Sequence, residues 1–219
     1  MSEKAYREIV EHYESCLEKH GDTHLGVDWP KREDVDRRYN AMLQVIRPPG
    51  REAPSPTTVL DFGCGAAHLL EFIRRREIRD VSYAGLDISE KFVSLARTKF
   101  PDHRFYCLDI LDAQADLPSF DYVVMNGVFT EKRSLTFDEM LSYWKKTLRA
   151  VFARSRVGVA FNVMSKQVDW EREDLFHLPL DVMAGFVTKE LSRHFVVRND
   201  YGLYEYTTYV YREESPWQR

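Results

Sequence analysis

Tyr6, Ile9, Val10, Tyr13, Cys16 and Leu17 recur at three- and four-residue spacing among charged positions, which predicts an amphipathic helix over residues 3–19 that Gly21 ends. A polar and aromatic loop from Asp22 to Pro30 leads to a second helical run over residues 32–46. The clusters Pro48-Pro-Gly50 and Pro54-Ser-Pro56 then read as a linker. From residue 57 the period changes. Short apolar runs at residues 57–61, 81–87, 104–109 and 120–126 each end in an acid or an amide and alternate with helix-length segments to about Asn162. That alternation predicts an α/β fold, a mostly parallel sheet with helices on both faces. Phe195–Asp200 and Leu203–Tyr211 are two further strand patterns joined by a Tyr-Gly turn too short for a crossover, so they form an antiparallel hairpin. The expected organisation is a helical cap and linker over residues 1–56 and a core over 57–212, with an aromatic and charged insertion at about 163–180 and a loosely held tail.

Composition narrows the function classes. At 219 residues and 44% hydrophobic content, one compact domain with a sizeable core is expected. A net charge of −4 with acids and bases interspersed offers no footprint for nucleic acid. No apolar run approaches the ~20 residues that span a bilayer, and Met1–Glu8 lacks a signal-peptide core, so a cytoplasmic protein without membrane attachment is expected, as monomer or homodimer. Cys16, Cys64 and Cys107 lie far apart without metal spacing, which points to a reducing compartment and to no metal or disulfide framework.

The richest segment is Thr57-Thr-Val-Leu-Asp-Phe-Gly-Cys-Gly-Ala-Ala-His68, an apolar strand ending in an acid and turning through glycines into a helix. Gly63 and Gly65 accept backbone angles that a side chain resists and let a ligand lie on bare peptide, with Cys64 between them as a small packing residue. Asp61 would repel a dinucleotide pyrophosphate and attract a ligand carrying an ammonium and a sulfonium. The dinucleotide fingerprint also needs glycine at 68, where His68 stands. A second strand ends at Asp87 roughly 25 residues on, as a βαβ unit requires, and a carboxylate there can accept hydrogen bonds from both hydroxyls of a ribose.

These residues resemble motif I of the class I S-adenosylmethionine-dependent methyltransferases, with Asp61, Gly63 and Gly65 in register and Ala67 in place of the third glycine. The resemblance covers roughly residues 57–211 and implies a Rossmann-like seven-stranded sheet whose last strand runs antiparallel between its neighbours. It implies S-adenosylmethionine as cofactor, with Asp87 and Ile88 at the ribose, Asp109 and the Ile110 amide at the adenine, and Asn126 at the fourth strand end. Trp29 and Arg38 stand where small-molecule members reach the cofactor's carboxylate. The Asn/Asp-Pro-Pro-Tyr signature of base-amino methylation is replaced by Asn126-Gly-Val-Phe129.

Methyl transfer from a sulfonium is an in-line displacement, so alignment and water exclusion dominate, and a base is needed only where the acceptor sheds a proton. His177, His24 and Lys132 are the candidate acceptor-site residues. The expected reaction is methylation of a small molecule, at oxygen. The alternatives are an N- or protein methyltransferase, a non-catalytic S-adenosylmethionine-binding or partner-activating module, and, against the motif, an NAD-dependent oxidoreductase.

Overall fold

The computed structural model describes residues 6–48, 56–112 and 114–215. The expected linker falls mainly at residues 49–55 and the end of the tail at 216–219, outside the described residues. Helix α1 spans Arg7–His20 and stops where Gly21, at φ +66°, turns its N–H back to the Leu17 carbonyl. Helix α2 spans Arg32–Leu43, shorter than its apolar pattern, because the last residues tighten into turns that bury Val45.

The core follows as β1 (Thr57–Phe62), α3 (His68–Arg75), β2 (Val81–Asp87), α4 (Glu90–Lys99), β3 (Arg104–Cys107), β4 (Phe120–Phe129), α5 (Phe137–Ala153) and β5 (Ser155–Ser165). A two-residue β6 (His177–Leu178), α6 (Leu180–Glu190), β7 (His194–Arg198) and β8 (Glu205–Tyr211) complete the chain. The sheet order is β3-β2-β1-β4-β5-β8-β7, with β6 paired to β5 off this path. Strands β1 to β5 pair in parallel, and β8 runs antiparallel to β5 on one side and β7 on the other, the hairpin as the pattern predicted and its place in the sheet as the resemblance implied. The hairpin connection is longer than a tight turn. Residues 199–204 form a loop held by Tyr201, whose hydroxyl lies 2.9 Å from that of Thr207.

Two apolar layers cover the sheet. One packs Trp144 and Leu148 of α5 and Met183 and Val187 of α6 on Phe161 and Val123; the other packs Tyr39, Leu70 and Val93 of α2, α3 and α4 on Val59 and Val124. Helix α5 starts in a capping box, the Thr136 hydroxyl and the Glu139 carboxylate each satisfying the other residue's backbone N–H. The strand order reverses between β1 and β4, and at such a switch point an open α/β sheet leaves a crevice beyond its strand ends. Helix α1 lies across that crevice. The Tyr13 hydroxyl donates to the Gly127 carbonyl (3.3 Å), the Ser89 hydroxyl to Glu14 (2.6 Å), and Lys91 pairs with Glu14 and Glu18.

The charged segment after β5 is more ordered than an insertion need be. Phe176 is fully buried and β6 extends the sheet beside Met164 and Ser165, whereas Trp170 is 68% exposed. No helix among the described residues is long and apolar enough to cross a membrane.

Candidate functional site

Four strand ends deliver the side chains. Strand β1 ends in Asp61 and Phe62, and the chain then turns through Gly63 (φ +73°) and Gly65 (φ +51°), both in the left-handed region that glycine adopts without strain. At Gly63 there is also no room: a Cβ would stand 2.7 Å from Val128 Cγ2. Ala67, in the place of the third motif glycine, is itself left-handed at φ +62° and caps α3. Backbone geometry, as well as the close helix packing expected from the sequence, explains why glycine suits that position.

Asp87 ends β2. Its Oδ2 accepts the Gly65 N–H and its Oδ1 the Ser89 N–H, both at 2.9 Å. The carboxylate therefore welds the glycine turn to the start of α4. A carboxylate has about four acceptor positions, so these backbone bonds, with a weaker one from the Ile88 N–H, leave capacity for a ligand's donor. Burial pushes the Asp87 carboxyl above its ordinary value. Asp109, beyond β3, accepts the Tyr6 hydroxyl and the Leu111 N–H. Asn126 lies on β4 with neither end of its buried amide hydrogen-bonded, and Thr147 on α5 is fully buried with its hydroxyl unpaired. The Tyr143 hydroxyl is a hydrogen-bonding neighbour, close enough for Thr147 to favour the phenolate although the geometry falls short of a formed bond.

Asp61 is the most perturbed of the three acids. It is 4% exposed, accepts the Tyr83 hydroxyl at 2.8 Å, and has its pKa pushed up to about 7, chiefly by burial, with the Tyr83 bond opposing and the Asp87 charge adding. A folded pKa above the unfolded one means that this group favours the folded chain below pH ~4 and that its contribution is lost as pH rises to about 7. A cation bound beside it favours the ionised form and releases a proton. Affinity for S-adenosylhomocysteine, whose amino acid portion carries an ammonium, is therefore expected to rise with pH below 7 by up to about tenfold per unit. Calorimetry at several pH values checks this. In Asp61→Asn the slope should flatten.

The crevice is walled by these residues with Trp29, Cys64, Ile88 and Ile110 from the expected set, and by Tyr6, Tyr13, Tyr143, Val27, Phe92 and Val128, which sequence reasoning did not single out. Tyr6, the N-cap of α1, and Tyr13 follow the helix's apolar spacing, which cannot distinguish a core residue from one facing a ligand. Tyr143 stacks on Tyr6 with ring centroids 4.6 Å apart.

Four expected residues are placed elsewhere. Arg38 does not line the crevice: its Nε donates to Glu205 at 3.0 Å and its guanidinium lies 5.3 Å from the centre of the Trp29 ring. His177 is buried beneath the loop after β5. Its Nδ1 lies 2.6 Å from the Ser165 carbonyl and its Nε2 accepts the Arg172 N–H at 3.3 Å, so both ring nitrogens are engaged in structure. His24 uses Nδ1 on the Trp29 carbonyl (2.6 Å) and lines an open depression with His20, Asp22 and His68. Lys132 donates to the Leu135 carbonyl at 3.1 Å. His177, His24 and Lys132 thus lie outside the crevice lining, since chemistry-bearing side chains in loops fold as readily onto nearby carbonyls as into a crevice.

A mostly parallel sheet with a glycine turn and strand-end carboxylates at its switch point is the arrangement in which open α/β folds bind nucleoside cofactors. Residues 60–154 match the family described as "Methyltransferase domain". Over those residues the chain carries a methyltransferase domain. It is 29% identical over 163 residues to "Putative methyltransferase Rv1506c" of Mycobacterium tuberculosis, covering 72% of this chain and 95% of that protein. Its fold is similar to that of the magnesium protoporphyrin IX methyltransferase of Synechocystis PCC 6803, solved with bound SAM (14% identity, TM-score 0.52, 97% of this chain and 86% of that one). It is also similar to DesVI of Streptomyces venezuelae (14%, TM-score 0.56, 82% and 92%) and to an S-adenosylmethionine-dependent methyltransferase of Clostridium acetobutylicum (13%, TM-score 0.53, 96% and 99%).

Proposed function

We propose that the enzyme methylates a small, uncharged acceptor at oxygen. The observation that carries this is the electrostatics of the crevice: its described lining holds Asp61, Asp87 and Asp109 and no lysine, arginine or histidine. An acceptor bearing a carboxylate or phosphate would meet like charge with no guanidinium or ammonium to hold it. A neutral hydroxyl compound would find tyrosine rings and, in Asn126 and Thr147, polar groups without partners. Leaving such groups unpaired costs about 1–3 kcal/mol each, which a matching ligand recovers.

S-adenosylmethionine, when bound, supplies an electrophilic methyl group on a sulfonium. The chain's own residues bind, orient and exclude water. In this reading Asp87, with Ile88, takes the ribose; Asp109 and the Ile110 amide lie toward the adenine; the Gly63-Cys64-Gly65 turn and Asp61 lie along the amino acid portion; Asn126 and Trp29 flank the reacting end. Burial pushes the hydroxyls of Tyr6, Tyr13 and Tyr143 well above the ordinary phenol range, which disfavours them as bases. Alignment then carries the rate, and a hydroxyl of moderate acidity is the acceptor such a site suits. Residues 1–56 serve as a cap whose α1 closes over the cofactor, as the bonds from Tyr6 to Asp109 and from Tyr13 to Gly127 support. The protein acts in the cytoplasm, on neither nucleic acid nor membrane, as monomer or homodimer.

The test is turnover with a matched panel, phenols and sugar or polyketide alcohols against carboxylic acids and phosphate esters of the same skeletons. Methylation confined to the neutral hydroxyl compounds is expected. Preference for the anionic members would overturn the assignment.

A further inference from the structure

Away from the cofactor crevice, three side chains of different chemistry converge between α1 and the loop that follows it. His12 and Cys16 are four residues apart on α1 and so share a face. Asp28, in the left-handed region at φ +56°, brings its carboxylate up to them. His12 Nε2 lies 2.8 Å from Asp28 Oδ2 and 3.8 Å from Cys16 Sγ, and the three ligand atoms all lie within 4.8 Å of one another.

We infer that His12, Cys16 and Asp28 form a site for a soft divalent cation of the zinc class. Tetrahedral bonds of about 2.0–2.3 Å to nitrogen, oxygen and sulfur put ligand atoms about 3.3–3.8 Å apart, so the cluster needs side-chain adjustments of about an ångström. The donor set fits that chemistry: thiolate and imidazole select zinc-like over calcium- or magnesium-like ions. Three protein ligands leave the fourth position to water. On binding, the Cys16 thiol proton leaves to solvent as the sulfur–metal bond forms, and His12 coordinates through the Nε2 lone pair of its neutral ring.

The surroundings favour a cation. Glu131, 7% exposed in the segment after β4, interacts electrostatically with His12, Cys16 and Asp28. Among the described residues, Arg133 and Lys19 act on Cys16 and Arg172 on Asp28, and the two guanidiniums are drawn to acids outside the trio, Arg133 to Glu131 (3.4 Å) and Arg172 to Asp174. The His12 side chain is 20% and that of Asp28 39% exposed, which provides an entry path. A second trio, Asp22, His68 and Glu71, also converges, but there the Lys99 ammonium already lies 2.7 Å from both acids. The two sites therefore differ in what neutralises them, an internal ammonium in one and a captured ion in the other. Val27 and Trp29, on either side of Asp28, and Tyr13, beside His12, line the crevice. A metal at this site would clasp one wall of the crevice to α1.

The test is titration of the untagged, metal-free protein with Co²⁺, whose bond to thiolate gives a near-ultraviolet charge-transfer band. The band should saturate at one cobalt per chain and be displaced by Zn²⁺. Cys16→Ser should abolish it and His12→Ala weaken cobalt binding at least about tenfold, the loss expected for one ligand or its outer support, while Cys107→Ser leaves it intact. Unchanged circular dichroism shows that each variant is folded. No band in the folded wild type, or an equal band in Cys16→Ser, overturns the site. The readout is independent of methyl transfer.

Discussion

Glu205→Ala is expected to destabilise the protein by about 3–5 kcal/mol, the cost of breaking a buried ion pair by removing one partner. Glu205 is 2% exposed on the central antiparallel strand. Its Oε2 accepts from Arg38 Nε at 3.0 Å and its Oε1 from the Asn162 amide at 3.0 Å. Removing the carboxylate leaves a largely buried guanidinium and an amide N–H without acceptors. The damage reaches the site, because Asn162 Oδ1 accepts the Gly127 N–H at 2.8 Å and Arg38 lies over the Trp29 ring that packs on Gly127. Urea denaturation measures the loss. Glu205→Gln, whose amide oxygen can still accept from Asn162 but whose amide nitrogen offers Arg38 Nε no acceptor, separates the Asn162 bond from the ion pair. A loss below about 1 kcal/mol in the alanine variant would mean that water replaces the carboxylate and that the network is peripheral.

Asp87→Ala is expected to weaken S-adenosylhomocysteine binding by about ten- to a hundredfold, since hydrogen bonds to a charged group are worth about 1.5–3 kcal/mol. Two effects combine. The donors of the bound ribose lose their acceptor, and the Gly65 and Ser89 N–H groups lose the carboxylate that fixes the glycine turn to α4. Asp87→Asn separates them: its remaining amide oxygen can hold one backbone N–H, so more of the turn survives than of the affinity. Calorimetry on protein with unchanged circular dichroism checks the prediction, and affinity within twofold of wild type would show that Asp87 serves the turn alone.

The glycine turn and the strand-end acids are legible in the sequence because their function imposes local rules: positive φ at residues 63 and 65, and a carboxylate at or just beside the ends of β1, β2 and β3. The antiparallel last strand is legible because its connection is too short to cross over. Arg38 and His177 were not legible, because their roles depend on partners 167 and 12 residues away, Glu205 and Ser165, that no spacing rule connects. Tyr6, Tyr143 and Thr147 reach the crevice from helices whose apolar stripes look like core. His12, Cys16 and Asp28 lacked a recognisable spacing because the third ligand arrives through the left-handed turn of a loop. Local backbone demands leave a mark on a sequence; long-range pairing leaves little.

The central claim is that the crevice at the β1–β4 switch point binds S-adenosylmethionine. It is tested most directly by calorimetric titration of the pure protein with S-adenosylhomocysteine, with NAD as the control ligand. Micromolar binding of the former at one site per chain and no heat from the latter is the predicted result. Binding of NAD, or no binding of S-adenosylhomocysteine by folded protein, would contradict it.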